Sequence, residues 1–149
     1  MSRLHCLLAI GSVLLLAPPA LAAGQATPDE AKAMAIKAAE YLKSVGPEKA
    51  FPEFNATEGT WRDRDLYVVV MNNQGVLLVN STNPGLVGKV LIDLKDVDGK
   101  AFEREIVAIK DTGWVSFKWQ NPVSKAVEPK TQYEVRVGEY LVGVGAFTK

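Results

Sequence analysis

The sequence has one cysteine, Cys6, and one histidine, His5, and both stand within its first six residues. That segment differs in kind from the rest of the chain. Arg3 supplies a short basic start, Leu4 to Leu16 is an almost continuous apolar run of 13 residues, Pro18 and Pro19 break it, and Ala20-Leu21-Ala22 fits the small-x-small pattern of a cleavage site. The run is shorter than the roughly 20 residues a spanning helix needs. Cys6 lies inside it, whereas a lipoprotein cysteine follows the cleavage box. Residues 1–22 therefore read as a secretory signal peptide, and the mature chain of about 127 residues as an exported, periplasmic protein with no membrane span and one domain's length.

Removing that segment removes whole classes of chemistry. Without a thiol there is no disulfide, no cysteine nucleophile and no thiolate metal site. Without an imidazole there is no Ser-His-Asp triad and no zinc or copper centre of the usual kind. The carboxylates are scattered, and LKDVDGKAFE around Asp96 lacks the Asp-x-Asp-x-Asp-Gly spacing of a calcium loop, so neither a metal nor another cofactor is expected. An excess of one charge is lacking too. The 17 basic and 17 acidic residues become 16 and 17 on loss of Arg3, which is not the footprint of a nucleic-acid binder.

What is present is a helix, then a change of period. Thr27-Pro28-Asp29-Glu30 reads as an N-cap, a proline at the first helical position and a capping box. Ala31, Met34, Ala35, Ala38, Ala39 and Leu42 form one stripe up to about Val45, and Gly46-Pro47 ends the helix. Pro47 to Phe54 reads as a short second helix. After Thr60, Leu66 to Met71, a turn at Asn72-Asn73-Gln74-Gly75 and Val76 to Asn80 predict a hairpin covered on both faces. STNPGLVG is a loop, Leu91 to Leu94 a short segment, and Phe102, Ile106 and Ile109 mark a helix stopping at Gly113. Trp114 to Gln120, Lys130 to Val137 and Tyr140 to Phe147 are three further strands. Together they predict a single α+β domain over 27–148, a long N-terminal helix packed on an antiparallel sheet of about five strands.

Alternation along those strands assigns faces. A loop centred on residue 125 sets Trp119 opposite Thr131, Phe117 opposite Tyr133 and Val115 opposite Val135, and a turn at Gly138-Glu139 sets Val135 opposite Val142 and Tyr133 opposite Val144. The core face then collects Val115, Phe117, Trp119, Tyr133, Val135, Val142 and Val144, with Gly143 and Gly145 on the outer face. Phe117 reads as plain core. Trp119 and Tyr133 each carry a donor that needs a partner when buried, and both lie where the sheet opens to solvent. Lys130 beside them would give a small carboxylate one charge-assisted contact and an apolar wall, to which Tyr67, Val70 and Val144 would add.

The stretch GWVSFKWQNPVSKAVEPKTQYEVRVGEYLVGVGAF resembles the C-terminal half of single Cache domains of the second type: Gly-Trp-Val, an aromatic, Trp-x-x-Pro, Pro-Lys, a Tyr and a closing Gly-x-Gly-aromatic strand. Upstream, the strand with Asn-Gln-Gly, VNSTNPGLVGK and the Leu-Lys-Asp-x-Asp-Gly-Lys segment before a helix follow in the family's order. The resemblance implies an extracytoplasmic, PAS-like fold that cups a small organic acid. It places Trp119, Lys130 and Tyr133 at motif positions, adds Trp114 as a residue packing against the preceding helix, and sets Asn80, Asn83 and Pro84 in the loop over the pocket mouth. Receptors of this family continue into a second span and a signalling domain, whereas this chain ends at Lys149. The expected role is thus a binding module without its own signalling domain, partnered by a membrane receptor or sensor kinase. Two other readings stay open. A small acid-base isomerase would need a carboxylate on the inner face, for which Asp65, Asp93 and Glu105 are the candidates, and a ligandless docking protein would have a sealed core beside Trp119.

Overall fold

The computed structural model describes residues 24–148; the predicted signal peptide lies outside them. Helix α1 (Pro28–Val45) starts at Thr27, whose hydroxyl accepts from Glu30 N while the Glu30 carboxylate accepts from Thr27 N, the predicted capping box. Helix α2 (Pro47–Phe54) follows directly. Strands β1 (Arg62–Asp63), β2 (Leu66–Asn72) and β3 (Leu77–Asn80) come next, then a single 3-10 turn at Pro84–Leu86 and helix α3 (Phe102–Ala108). Strands β4 (Thr112–Gln120), β5 (Val127–Val137) and β6 (Tyr140–Phe147) complete the chain. The segment 91–94 forms no strand.

All strand pairs are antiparallel in a six-stranded sheet ordered β1-β2-β6-β5-β4, with β3 beside β2. Bringing β6 between β2 and β5 makes the last strand the centre of the sheet. One face carries α1. Its small residues Ala31, Ala35, Ala38 and Ala39 let the helix settle on Val68, Val70, Tyr133, Val135, Val142 and Val144, while Phe54 and Trp61 close one end edge to face at 4.9 Å. The other face carries α3 and the loops before it: Phe102 and Ile106 pack on Val115, Phe117 and Leu141, with the Phe102 and Phe117 rings stacked at 4.1 Å. The sheet is covered on both faces, as the continuous apolar runs of β2 and β3 predict. Among the described residues, no helix is long and apolar enough to cross a membrane.

The β5–β6 register is the predicted one, Val135 with Val142 and Tyr133 with Val144. The β4–β5 register is not: Trp119 pairs with Glu128, Phe117 with Lys130 and Trp114 with Tyr133. The cause is the turn. Asn121 accepts from Val123 N at 2.8 Å through its side chain, its backbone pairs with Ala126, and Lys125 takes a φ of 64°, so the hairpin closes over residues 121–126 and β5 begins at Val127. The pairing is displaced by three residues from the expected one, and an odd displacement exchanges the faces of one strand relative to the other. Val115, Phe117 and Trp119 therefore share a face with Lys130, Gln132 and Glu134, not with Tyr133 and Val135.

Candidate functional site

On the α3 side the sheet encloses a cavity of about 30 Å³, room for a few waters. Its walls are Tyr67, Val69 and Met71 from β2, Leu77 and Asn80 from β3, Phe117 and Trp119 from β4, and Phe102, Glu103 and Ile106 from α3, with Leu86 and Leu91 from the loop between. The floor is polar: Lys130, Gln132 and Glu134 alternate along β5 and all point inward. Opposite them stand Gly145, paired with Gln132, and Gly143, paired with Glu134. A methyl group at Gly143 would overlap the Glu134 carboxyl oxygen and lie 2.7 Å from Gln132 Nε2, and one at Gly145 would overlap Lys130 Cε. The two glycines make the space that the polar side chains occupy.

Lys130 is 2% exposed. Its ammonium donates to the Tyr67 hydroxyl at 3.0 Å and lies 4.3 Å from the Tyr67 ring centroid, 5.3 Å from Phe147 and 5.7 Å from Phe117. Among the described residues it forms no ion pair within 4 Å. Glu134, 1% exposed, accepts from Gln132 Nε2 at 2.5 Å. Burial lifts its carboxyl to about 8, helped by the charge of Glu103 and opposed by the Gln132 hydrogen bond and Lys130. Burial likewise lifts Glu103 to about 7, against the pull of Lys130. Asn80 spends its carbonyl oxygen on Thr82 N, Thr82 Oγ1 and Asn83 N, which fixes the loop over the cavity and leaves the amide NH2 for a ligand. The arrangement offers an anion one ammonium, several donors and an aromatic wall, with no group of three or more metal-ligating side chains among the described residues.

A family model described as single Cache domain 2 matches residues 19–149. The chain belongs to this family. Cache domains are sensory ligand-binding modules. Among solved structures, a methyl-accepting chemotaxis protein from Vibrio parahaemolyticus RIMD 2210633 is 24% identical, with a TM-score of 0.71 over 80% of this chain and 86% of that one. A periplasmic sensor domain of a chemotaxis protein is 20% identical, with a TM-score of 0.62 over 81% and 90% of the two chains. A Cache chemosensory domain, whose structure is described as the basis for carboxylic acid recognition, is 23% identical, with a TM-score of 0.63 over 81% and 88%. At these identities the likeness is one of fold. None of the curated proteins matches the sequence.

In this Cache domain the six residues singled out from sequence divide four to two. Tyr67, Asn80, Trp119 and Lys130 line the cavity, whereas Trp114 and Tyr133 do not. Tyr133 lies on the α1 face, under Trp114 at 4.9 Å and with Lys32 Nζ 5.1 Å from its ring, so it packs in the α1 core and does not reach the cavity. Trp114 is 42% exposed on that same face and packs on Tyr133, not on the preceding helix. Val70 and Val144 likewise belong to the α1 core, while Gly143 and Gly145 belong to the cavity floor and not to an outer surface. The inner face is not free of carboxylates: Glu103 and Glu134 are there. The three acids considered from sequence are elsewhere. Asp65 accepts from Ala26 N and Phe147 N, Asp93 pairs with Arg104, and Glu105 pairs with Lys100. The signal that could have found Glu134 is the inward polar alternation Lys130, Gln132, Glu134 facing Gly145 and Gly143.

Proposed function

We propose that this Cache domain is a periplasmic sensor module that holds a small organic acid, such as acetate or pyruvate, in the cavity beneath α3. The observation that carries the reading is Lys130. An ammonium buried with no carboxylate in direct ion-pair contact is costly, and an entering carboxylate supplies that contact. The Tyr67 hydroxyl, the Asn80 amide and the Trp119 indole stand around the same space as further donors, and Phe102, Phe117 and Leu141 supply the apolar wall. The small volume favours acids of two to four carbons. The family, and a neighbour described in terms of carboxylic acid recognition, support the same ligand class.

A thermal-shift screen against small mono- and dicarboxylates, amino acids and amines tests this directly. At a hundred times its Kd a ligand stabilises by about 2.7 kcal/mol, which moves Tm by several degrees in a domain of this size. Shifts confined to a few small acids are expected; a protein indifferent to every acid sinks the reading and leaves the fold as a docking module. The cavity floor gives a second expectation. Gly145→Ala pushes the Lys130 stem out of its place and should weaken the acid at least about tenfold, a loss of about 1.4 kcal/mol. Gly85→Ala, whose added methyl would meet only Asn83 Oδ1 at 3.7 Å, should bind as wild type. Equal affinities for both variants by titration calorimetry would show that Lys130 need not sit where it does.

A further inference from the structure

The cavity is not a simple cationic pocket. Lys130 shares it with two carboxyl groups, Glu103 at the start of α3 and Glu134 on β5, both buried. With both glutamates ionised, the three groups carry one net negative charge before anything enters, and a carboxylate ligand makes that two. Like charges enclosed away from water do not stay ionised together, and the group that can change does so by taking a proton.

Resting on the carboxylate reading of this site, we infer that the cavity takes its acid together with a proton, which the Glu103–Glu134 pair holds. The proton turns a repelling anion into a hydrogen-bond donor beside Lys130. Burial has already brought the pair into the neutral range, about 7 for Glu103 and about 8 for Glu134, and an incoming anion pushes both higher. The groups that face the pair are few. Lys130 acts on both from β5 while its ammonium donates to the Tyr67 hydroxyl of β2, and Gln132 donates to Glu134. Arg136, next along the inner face of β5, is held by the carbonyls of Val107 and Ile109 and by Asn73 Oδ1. On α3, Arg104 and Glu105 are turned to exposed ion pairs with Asp93 and Lys100. β6 contributes Gly143, Gly145 and Leu141, none of which titrates.

Titration calorimetry with acetate, propionate and pyruvate, between pH 6 and 9 and in pairs of buffers with different ionisation heats, counts the protons directly. Across this range the acids themselves stay ionised. Near pH 7.5 each acid bound should take up roughly half to one proton, and Kd should rise about tenfold between pH 6.5 and 8.5. In the double variant Glu103→Gln, Glu134→Gln the heat should no longer depend on the buffer, and the pH profile should flatten. Wild-type binding with the same heat in both buffers and a constant Kd overturns proton uptake while leaving the acid site standing. Failure of these three and of every other acid in the thermal-shift screen to bind at any pH overturns the functional reading, and this inference with it.

Discussion

Lys130→Met should abolish acid binding at any concentration that wild type needs for saturation. Truncating one partner of a buried charge contact costs about 2–5 kcal/mol, which is a loss of roughly thirtyfold to several thousandfold in affinity. Methionine suits the test because its unbranched stem keeps the packing against the Tyr67, Phe117 and Phe147 rings that surround the ammonium. The fold should survive, since Glu103 and Glu134, which lose the pull of the Lys130 charge, can take protons instead of staying ionised without a partner. Binding and stability are therefore expected to part company in this one variant. Calorimetry with an acid that shifts the wild-type melting curve decides it: a Kd within about threefold of wild type removes Lys130 as the anchor.

The second large effect is on stability and needs no ligand. In the unfolded chain Glu103 and Glu134 ionise near 4.5, whereas in the folded protein they keep their protons to about 7 and about 8. Between these limits the folded state binds more protons than the unfolded one, so stability falls as pH rises from about 4.5 to 8 and levels off above. At 1.36 kcal/mol per pH unit of separation, and allowing for the coupling between the two acids, the loss is on the order of 5 kcal/mol. Carboxylates shifted the other way do not blur this window. Glu30, held to about 2 chiefly by the Arg64 hydrogen bond, contributes stability above its ordinary range that is lost as pH falls toward 2; Asp63 and Asp96 are lowered in the same sense. Denaturant titrations should thus show a protein clearly weaker at pH 9 than at pH 5, with Glu134→Gln restoring much of the difference at pH 9 and changing little at pH 5. Equal wild-type stabilities at the two pH values would mean that the buried carboxyl groups are solvated in a way their burial does not suggest.

The elements were legible where local chemistry is sufficient. The capping box at Thr27, the Gly46-Pro47 break and the alanine stripe specify α1 without reference to the rest of the chain. A two-residue turn at Gly138-Glu139 leaves only one register for β5 and β6. The loop between β4 and β5 is different, because Asn-Pro-Val-Ser-Lys-Ala admits several closures. The one adopted depends on the Asn121 side chain capturing two backbone N–H groups and on Lys125 entering the left-handed region. The expected register, off by that single displacement, sets Tyr133 in the cavity and leaves Glu134 out of it. The rule that polar residues face water leaves Glu134 out as well, since an inward stripe of Lys, Gln and Glu runs against it. The paired glycines on β6 resolve the contradiction, but only once the strands are laid side by side.

Asp65 was a candidate catalyst and is instead a clasp. One carboxylate oxygen accepts from Ala26 N at 2.8 Å, just before the first helix, and the other from Phe147 N at 3.4 Å, at the end of the last strand. In mechanical terms the domain is a closed circuit. A pull applied between Ala26 and Phe147 meets one carboxylate that holds both, so the approach to the first helix and the end of the central strand are tied through a single side chain at the head of β2.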